Sequence, residues 1–380
     1  MRRFAFCLSL SCLSVALAGA QSPGSHLSTR APRPVIQVAI LLDTSNSMDG
    51  LIGQAKSQLW TFVNQFSPLR RDGLAPELQV ALYEYGKSSI PAGEGYLRMV
   101  VPFTTDLDRV SEQLFALSTR GGDEYCGAVI KSATESLNWS QSPRDLKVIF
   151  IAGNEPFTQG SVDYHQSCEV ARSKGLTVNT IFCGSYQEGL STNWADGARI
   201  GGGSYMNIDQ DRQAVYIPSP QDRDIERLGV ELNKTYIPIG EKGYSSLQNQ
   251  AAQDSNAMRS GAGATNERAK AKASGFYRAD GWDLVDAEKS GSKKLESMDK
   301  KDLPKEMQSM KPDEARAYVD TQAKLRVEIQ LKIQKLSGER EKFIAGKRKE
   351  LAAKGGTKTL DAAMAEALAS QAKAKGFTQK

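Results

Sequence analysis

The stretch that decides the fold of this chain reads Val38-Ala-Ile-Leu-Leu-Asp43-Thr-Ser45-Asn-Ser47-Met48. Its apolar run, residues 38–42, is too short for an ordinary helix and predicts a strand that is buried on both faces, as in parallel sheets. A segment with helical spacing of apolar residues follows the D-x-S-x-S turn. The turn is therefore expected at the carboxyl end of a buried strand, where open α/β sheets place their ligand sites.

The turn brings together one carboxylate and two hydroxyls, from Asp43, Ser45 and Ser47. An all-oxygen set of this kind suits Mg²⁺ or Mn²⁺ and does not suit Zn²⁺. The five-residue pattern alone is weak evidence, because about one chain in ten of this length would contain it by chance. Its position directly after a predicted buried strand is what favours a metal site.

Residues 37–239 alternate short apolar runs with amphipathic segments. This alternation predicts an α/β fold with a doubly wound, mostly parallel, Rossmann-like sheet, and about 200 residues suit one domain. A hairpin between the second and third strands would make that edge antiparallel. The strands are predicted at residues 38–42, 78–85, 96–103, 147–152, 177–183 and 205–208, and the helices at 51–66, 106–117, 127–137, 162–174 and 222–234.

The composition changes after residue 240. Residues 240–285 predict a polar, partly helical connector, because 245–274 are rich in Gln, Ala, Asn and Ser and contain almost no large apolar residue. Residues 286–380 predict a charged C-terminal helical region. Residues 325–333 alternate as a strand would, but the flanking residues favour a helix. Such a helix has two apolar faces, which predicts a helical hairpin or a coiled-coil homo-oligomer.

The N-terminal residues 1–20 predict a cleaved secretory signal. They contain a basic start, an apolar core and an Ala18-Gly19-Ala20 cleavage site. No later segment is apolar enough to cross a bilayer, so we expect no membrane insertion after cleavage. The sequence therefore predicts a periplasmic or secreted protein.

Three cysteines remain after removal of the signal: Cys126, Cys168 and Cys183. An odd number in an oxidising compartment predicts one disulfide and one free thiol. All three pairings are open, and Cys168–Cys183 is favoured because these residues lie on a consecutive helix and strand.

Residues 37–239 resemble the von Willebrand factor type A family. The resemblance rests on the strand, D-x-S-x-S turn and helix, on the Gly121-Gly122 loop before a helix, and on the loop after the second buried strand. It implies a metal-ion-dependent adhesion site, with Asp43, Ser45 and Ser47 in the first metal-binding loop. In that family the metal keeps one open position, which an acidic residue of a protein partner fills. That is a binding mechanism and not a catalytic one.

Two loops depart from the family pattern. Asp123 and Glu124 follow the glycine pair, where a threonine is usual, and the third loop reads Gly153-Asn154-Glu155-Pro156, where an aspartate–glycine pair usually precedes Glu-Pro. One negative charge is thus lost from the third loop and one is gained in the second. If the changes compensate, a Mg²⁺ or Mn²⁺ site is formed by Asp43, Ser45, Ser47, Asp123, Glu124 and Asn154. A degenerate site that binds no metal is the alternative.

Other functional classes find little support. Residues 281–380 carry 22 Lys and Arg against 16 Asp and Glu, but they lack the aromatic and basic stripe of nucleic-acid binders. Gly86-Lys87-Ser88 resembles the end of a P-loop, yet Ala81 occupies the position of its first glycine. The sequence contains no G-x-S-x-G or H-E-x-x-H motif, and we expect no enzyme.

Two hypotheses remain. The first is an exported, metal-dependent protein-binding module. The second is an envelope scaffolding protein whose metal-free domain leaves the function to its C-terminal helices.

Overall fold

The computed structural model describes residues 33–209, 211, 216–352 and 360–379. The predicted signal peptide, residues 1–20, lies outside the described residues, so its cleavage stays a prediction.

Six strands form one sheet in the order β4-β3-β1-β5-β6-β7. All neighbouring strands are parallel except β3 and β4, which form the predicted antiparallel edge. The mostly parallel sheet is therefore confirmed, and each predicted strand is present. The strands in chain order are β1 Val35–Asp43, β2 Leu69–Arg70, β3 Glu77–Tyr85, β4 Leu97–Thr104, β5 Leu146–Gly153, β6 Thr177–Cys183, β7 Gly202–Ile208 and β8 Thr378–Gln379.

Helices cover both faces of the sheet, which explains why all eight residues of β5 are buried. Apolar side chains of α1, α2 and α13 pack on one face, and those of α3, α4 and α6 pack on the other. The helices are α1 Asp49–Asn64, α2 Leu107–Ala116, α3 Cys126–Ser136, α4 Tyr164–Ser173, α5 Tyr186–Ser191, α6 Trp194–Ile200, α7 Asp222–Asn233, α8 Gly240–Arg259, α9 Ala262–Lys272, α10 Leu284–Ser290, α11 Lys305–Gln308, α12 Pro312–Ala352 and α13 Leu360–Ala374.

The three cysteines of the described residues are free thiols, so the predicted Cys168–Cys183 disulfide is wrong. Cys168 lies on α4 and packs into the core on one face of the sheet. Cys183 ends β6 and points into the core on the opposite face. Chain order placed the two residues on adjacent elements, but successive strand side chains alternate between faces. Cys126 is also buried and unpaired.

The region after residue 239 is helical and packs on the rest of the protein. Residues 240–285 contain α8, α9 and the start of α10, and α9 packs along α1 and α7. Residues 325–333 belong to α12, so the predicted helix is confirmed there despite the strand-like alternation. No helix among the described residues is long and apolar enough to cross a membrane. The proposed segment boundaries and the oligomer stay predictions.

The C-terminal helix α13 belongs to the helical layer that α1 and α2 form on one face of the sheet. Its buried Met364 and Leu368 belong to the same core as α1 and α2. Gln371 exchanges hydrogen bonds with Asn179 of β6, and β8 pairs with β2. A helix at the end of the chain thus covers a sheet whose last strand ends at Ile208.

Candidate functional site

Three loops meet at the carboxyl edge of the sheet. They follow β1, precede α3 and follow β5. Because β3, β1 and β5 are adjacent parallel strands, their last residues Tyr85, Asp43 and Gly153 lie side by side. The parallel register therefore brings the predicted site residues into one cluster.

Asp43 lies at the centre of this cluster and is fully buried. Its Oδ1 accepts a hydrogen bond of 2.8 Å from the Ser45 backbone N–H. The Ser45 and Ser47 hydroxyl oxygens are 3.1 Å apart, and the Ser47 hydroxyl donates to Asn154 Oδ1 at 3.3 Å. The two hydroxyls and the amide oxygen therefore form a polar mouth above the carboxylate.

Glu124 supplies the second carboxylate of the cluster and is 5% exposed. A Cβ atom built on Gly86 would lie 2.6 Å from Glu124 Cγ and 2.8 Å from Asp43 Oδ1, so the two acidic side chains flank the same point. Asp123 behaves differently, because it is exposed and accepts a hydrogen bond of 3.0 Å from the Tyr125 hydroxyl. Of the six predicted site residues, the structure brings five together and turns Asp123 outward.

No lysine or arginine of the described residues balances the charge of the carboxylate pair. Among the residues described, neither Asp43 nor Glu124 forms an ion pair with Lys or Arg, and the nearby Lys87 and Arg98 pair with the buried Glu84 instead. Burial raises the pKa of Asp43 to about 7, and the charge of Glu155 adds to this shift. Burial and the Asp43 charge together raise the pKa of Glu124 to about 8.

Two carboxylate oxygens lack hydrogen-bond partners. Asp43 Oδ2 and Glu124 Oε2 are buried and accept no hydrogen bond from the described residues. Buried polar groups are normally paired, so two orphaned oxygens in one cluster indicate that a bound species completes it. Oxygen donors of this kind fit Mg²⁺ or Mn²⁺. The described residues contain no group of three or more His, Cys, Asp and Glu that could hold a metal, so hydroxyl and amide oxygens would supply the remaining protein ligands.

Sequence reasoning missed three residues of the site. The sequence predicts Tyr85 only as the end of a strand, relates Gly86 only to a P-loop, and predicts no role for Glu155. A Cβ atom built on Gly153 would lie 2.5 Å from Tyr85 Oη and 3.0 Å from Asp43 Oδ2. The signal available in the sequence is the position of Tyr85 and Gly86 at the carboxyl end of β3, the strand that pairs with β1.

The family model of the von Willebrand factor type A domain matches residues 37–192. No curated protein matches the chain. A solved structure with a similar fold is proximal thread matrix protein 1 from the mussel byssus, at 14% identity and a TM-score of 0.35 over 47% of this chain and 42% of that one. The chain therefore spans less than half of the mussel protein.

For two further solved structures, the match covers most of the other chain. BatB from Bacteroides thetaiotaomicron is 18% identical, with a TM-score of 0.35 over 46% of this chain and 90% of that one. The SpRpn10 domain of the same type is 16% identical, with a TM-score of 0.36 over 47% and 90%. The family prediction is confirmed by the family-model match: residues 37–192 of this chain are a von Willebrand factor type A domain.

Proposed function

We propose that this protein is a non-catalytic protein-binding module, exported to the cell envelope, that captures its partner through Mg²⁺ or Mn²⁺. The cation is held by Asp43, Ser45, Ser47, Glu124 and Asn154. The observation that carries this proposal is the buried pair of carboxylates, each with one oxygen that accepts no hydrogen bond from the described residues.

Charge balance favours a cation at this site. Two unit charges about 4 Å apart interact by about 4 kcal/mol at an effective dielectric constant near 20. For two ionised carboxylates this interaction is repulsive, and burial adds a desolvation cost to each. A divalent cation reverses the sign of the interaction. The site is therefore suited to a cation in a way that a carboxylate paired with arginine is not.

The mouth of the site supplies the binding surface. Ser47 is exposed and Asn154 is half-buried, so both can be reached from outside. A bound cation supplies a coordination position for a partner's oxygen, and an acidic side chain is the natural donor for a hard cation. The partner of this proposal is thus a protein that presents an acidic residue.

The test is calorimetric titration of the mature protein with Mg²⁺ and Mn²⁺. The wild type and the exposed control Asp224→Ala should bind the cation, whereas Asp43→Ala should show no binding heat. Silent traces from all three proteins would overturn the proposal. N-terminal sequencing of the protein from envelope fractions tests export, since the mature chain should start near Gln21.

A second candidate function is scaffolding through the C-terminal helices, with no metal in the domain. It is favoured by three exposed apolar residues of α12, of which Leu331 is 60% exposed. Partner capture that survives Asp43→Ala but is lost in Leu331→Gln would favour this candidate. Truncation after Gly240 is unsuitable for this test, because it removes α9 and α13 from the packed structure.

A further inference from the structure

We propose that Tyr85 is a positioning residue of the cation site: its hydroxyl fills the space of a side chain at position 153, so that the second carboxylate comes from Glu124. This inference rests on the proposed cation site and adds the residue that determines which loop supplies its charge.

The geometry at Gly153 excludes a side chain. A Cβ atom there would lie 2.5 Å from Tyr85 Oη, a distance that real Cβ atoms essentially never show. Tyr85 cannot easily withdraw, because it is fully buried and its hydroxyl donates a hydrogen bond of 2.9 Å to the Ala152 carbonyl. A side chain at position 153 therefore requires Tyr85 or the backbone to move.

Gly86, in contrast, leaves room for the carboxylate of Glu124 because it has no side chain. Gly86 has a φ of +79°, which favours glycine. A side chain at this position would lie 2.6 Å from Glu124 Cγ. Glu124 therefore occupies the room that Gly86 leaves free. Gly86 and Gly153 both lie beside the site, but only the space next to Gly86 is occupied by an added acidic side chain, that of Glu124.

The hydroxyl of Tyr85 also leaves Asp43 available to a cation. It donates to the Ala152 carbonyl, whereas Asp43 Oδ2 accepts no hydrogen bond from the described residues. Tyr85 thus packs beside Asp43 without occupying the orphaned oxygen.

The experiment transfers the second carboxylate from position 124 to position 153. Mn²⁺ binding is measured by calorimetry on the full mature chain, with and without Glu124→Gln, in the wild type and in Tyr85→Phe/Gly153→Asp. We expect Glu124→Gln to weaken binding at least tenfold in the wild type. In the double variant we expect a loss below threefold, because the acid at 153 supplies the charge. Gly153→Asp without Tyr85→Phe should not rescue Glu124→Gln.

Equal losses in both backgrounds would overturn the inference while leaving the cation site intact. If the wild type binds no Mn²⁺, the proposed function falls, and the role of Tyr85 in it falls as well.

The steric clash between Tyr85 and a side chain at position 153 can be measured separately, by thermal unfolding. In EDTA, Gly153→Ala should lower the melting temperature by more than about 2 °C with Tyr85 in place. In Tyr85→Phe the fall should be less than half as large. Identical falls in the two backgrounds would show that Tyr85 does not block position 153.

Discussion

Buried carboxylates occur in two regions of this molecule, with opposite surroundings. At the carboxyl edge of the sheet, Asp43 and Glu124 are buried without a basic partner among the described residues. Between α2, α8 and α9, Asp108 and Asp254 are bound by the buried Arg268. Both regions concentrate negative charge away from water, but only the second supplies its own cation.

The pKa values express this difference. Burial alone would raise the pKa of Asp254, but the charges of Lys272 and Arg268 outweigh it and lower the pKa to about 2. Burial raises the pKa of Asp43 to about 7, because no basic group compensates. A charge-balanced cluster holds elements together, whereas an unbalanced one is available to a ligand.

The largest expected effect is a loss of stability when Arg268, the buried cation between α2, α8 and α9, is replaced. Arg268→Met leaves the buried Asp108 and the partly buried Asp254 with less compensation. It also removes the guanidinium from the Trp60 ring, which lies 4.3 Å away. Loss of one partner of a buried ion pair costs about 3–5 kcal/mol. Urea unfolding should show a loss of this size.

The matched control for this variant is Arg227→Met. Arg227 is exposed and pairs with Glu231 on the surface of α7. Such a pair contributes about 0–1 kcal/mol. Equal effects of the two variants would contradict a special role for Arg268.

The sequence predicted the sheet edge better than the helices, and the reason is physical. The strand, turn and helix around Asp43 are a local pattern, so residues close in sequence specify it. Arg268 bonds Asp108 across 160 residues of chain. No periodic pattern in the sequence indicates such a long-range contact. The polar composition of residues 245–274 therefore predicts only a connector. The return of α13 to the sheet is equally non-local.

The site itself was predicted in part. Asp43, Ser45, Ser47 and Asn154 converge as expected, since parallel strands end at one edge. The different orientations of Asp123 and Glu124 could not be deduced, because adjacent loop residues have no fixed alternation. The cysteine pairing failed for a related reason, since it depends on the face to which each side chain points.

The next effect is a pH dependence of stability in the absence of a divalent cation. The pKa of Asp43 and that of Glu124 lie higher in the folded protein than their ordinary values of 3.8 and 4.5. The folded state therefore holds more protons than the unfolded state between these limits. The contribution of the pair to stability is fully present below pH 4 and is lost as pH rises through the folded pKa values.

In EDTA, the free energy of unfolding should fall by at least about 2 kcal/mol between pH 5 and pH 8, as the pair loses its protons. Urea titrations at several pH values measure this change. The Asp43→Asn/Glu124→Gln variant is the control, and its profile should be flatter by that amount. Saturating Mn²⁺ should offset the fall in the wild type, because the cation binds the ionised pair. Identical profiles for variant and wild type would contradict the assignment.

A smaller gain is expected from Glu124→Gln at pH 8 in EDTA. The substitution removes one of two repelling charges while keeping the shape of the side chain, so we expect about 1 kcal/mol of added stability. The same variant should lose the stabilisation that Mn²⁺ gives to the wild type. Thermal unfolding with EDTA and with Mn²⁺ measures both effects. Glu226→Gln, at an exposed position of α7, should change neither. A structural role for Glu124 predicts the opposite sign in EDTA.

The smallest effect is expected one residue away, at Asp123. This residue is exposed, and its carboxylate accepts a hydrogen bond from Tyr125 rather than lying against Asp43. Solvent and salt screen an exposed charge, so Asp123→Asn should change Mn²⁺ affinity less than about twofold, which is about 0.4 kcal/mol. Calorimetry on Asp123→Asn beside Glu124→Gln compares two adjacent acids that differ in burial. A tenfold loss in Asp123→Asn would mean that Asp123 turns inward when the cation binds, and that the site contains three carboxylates.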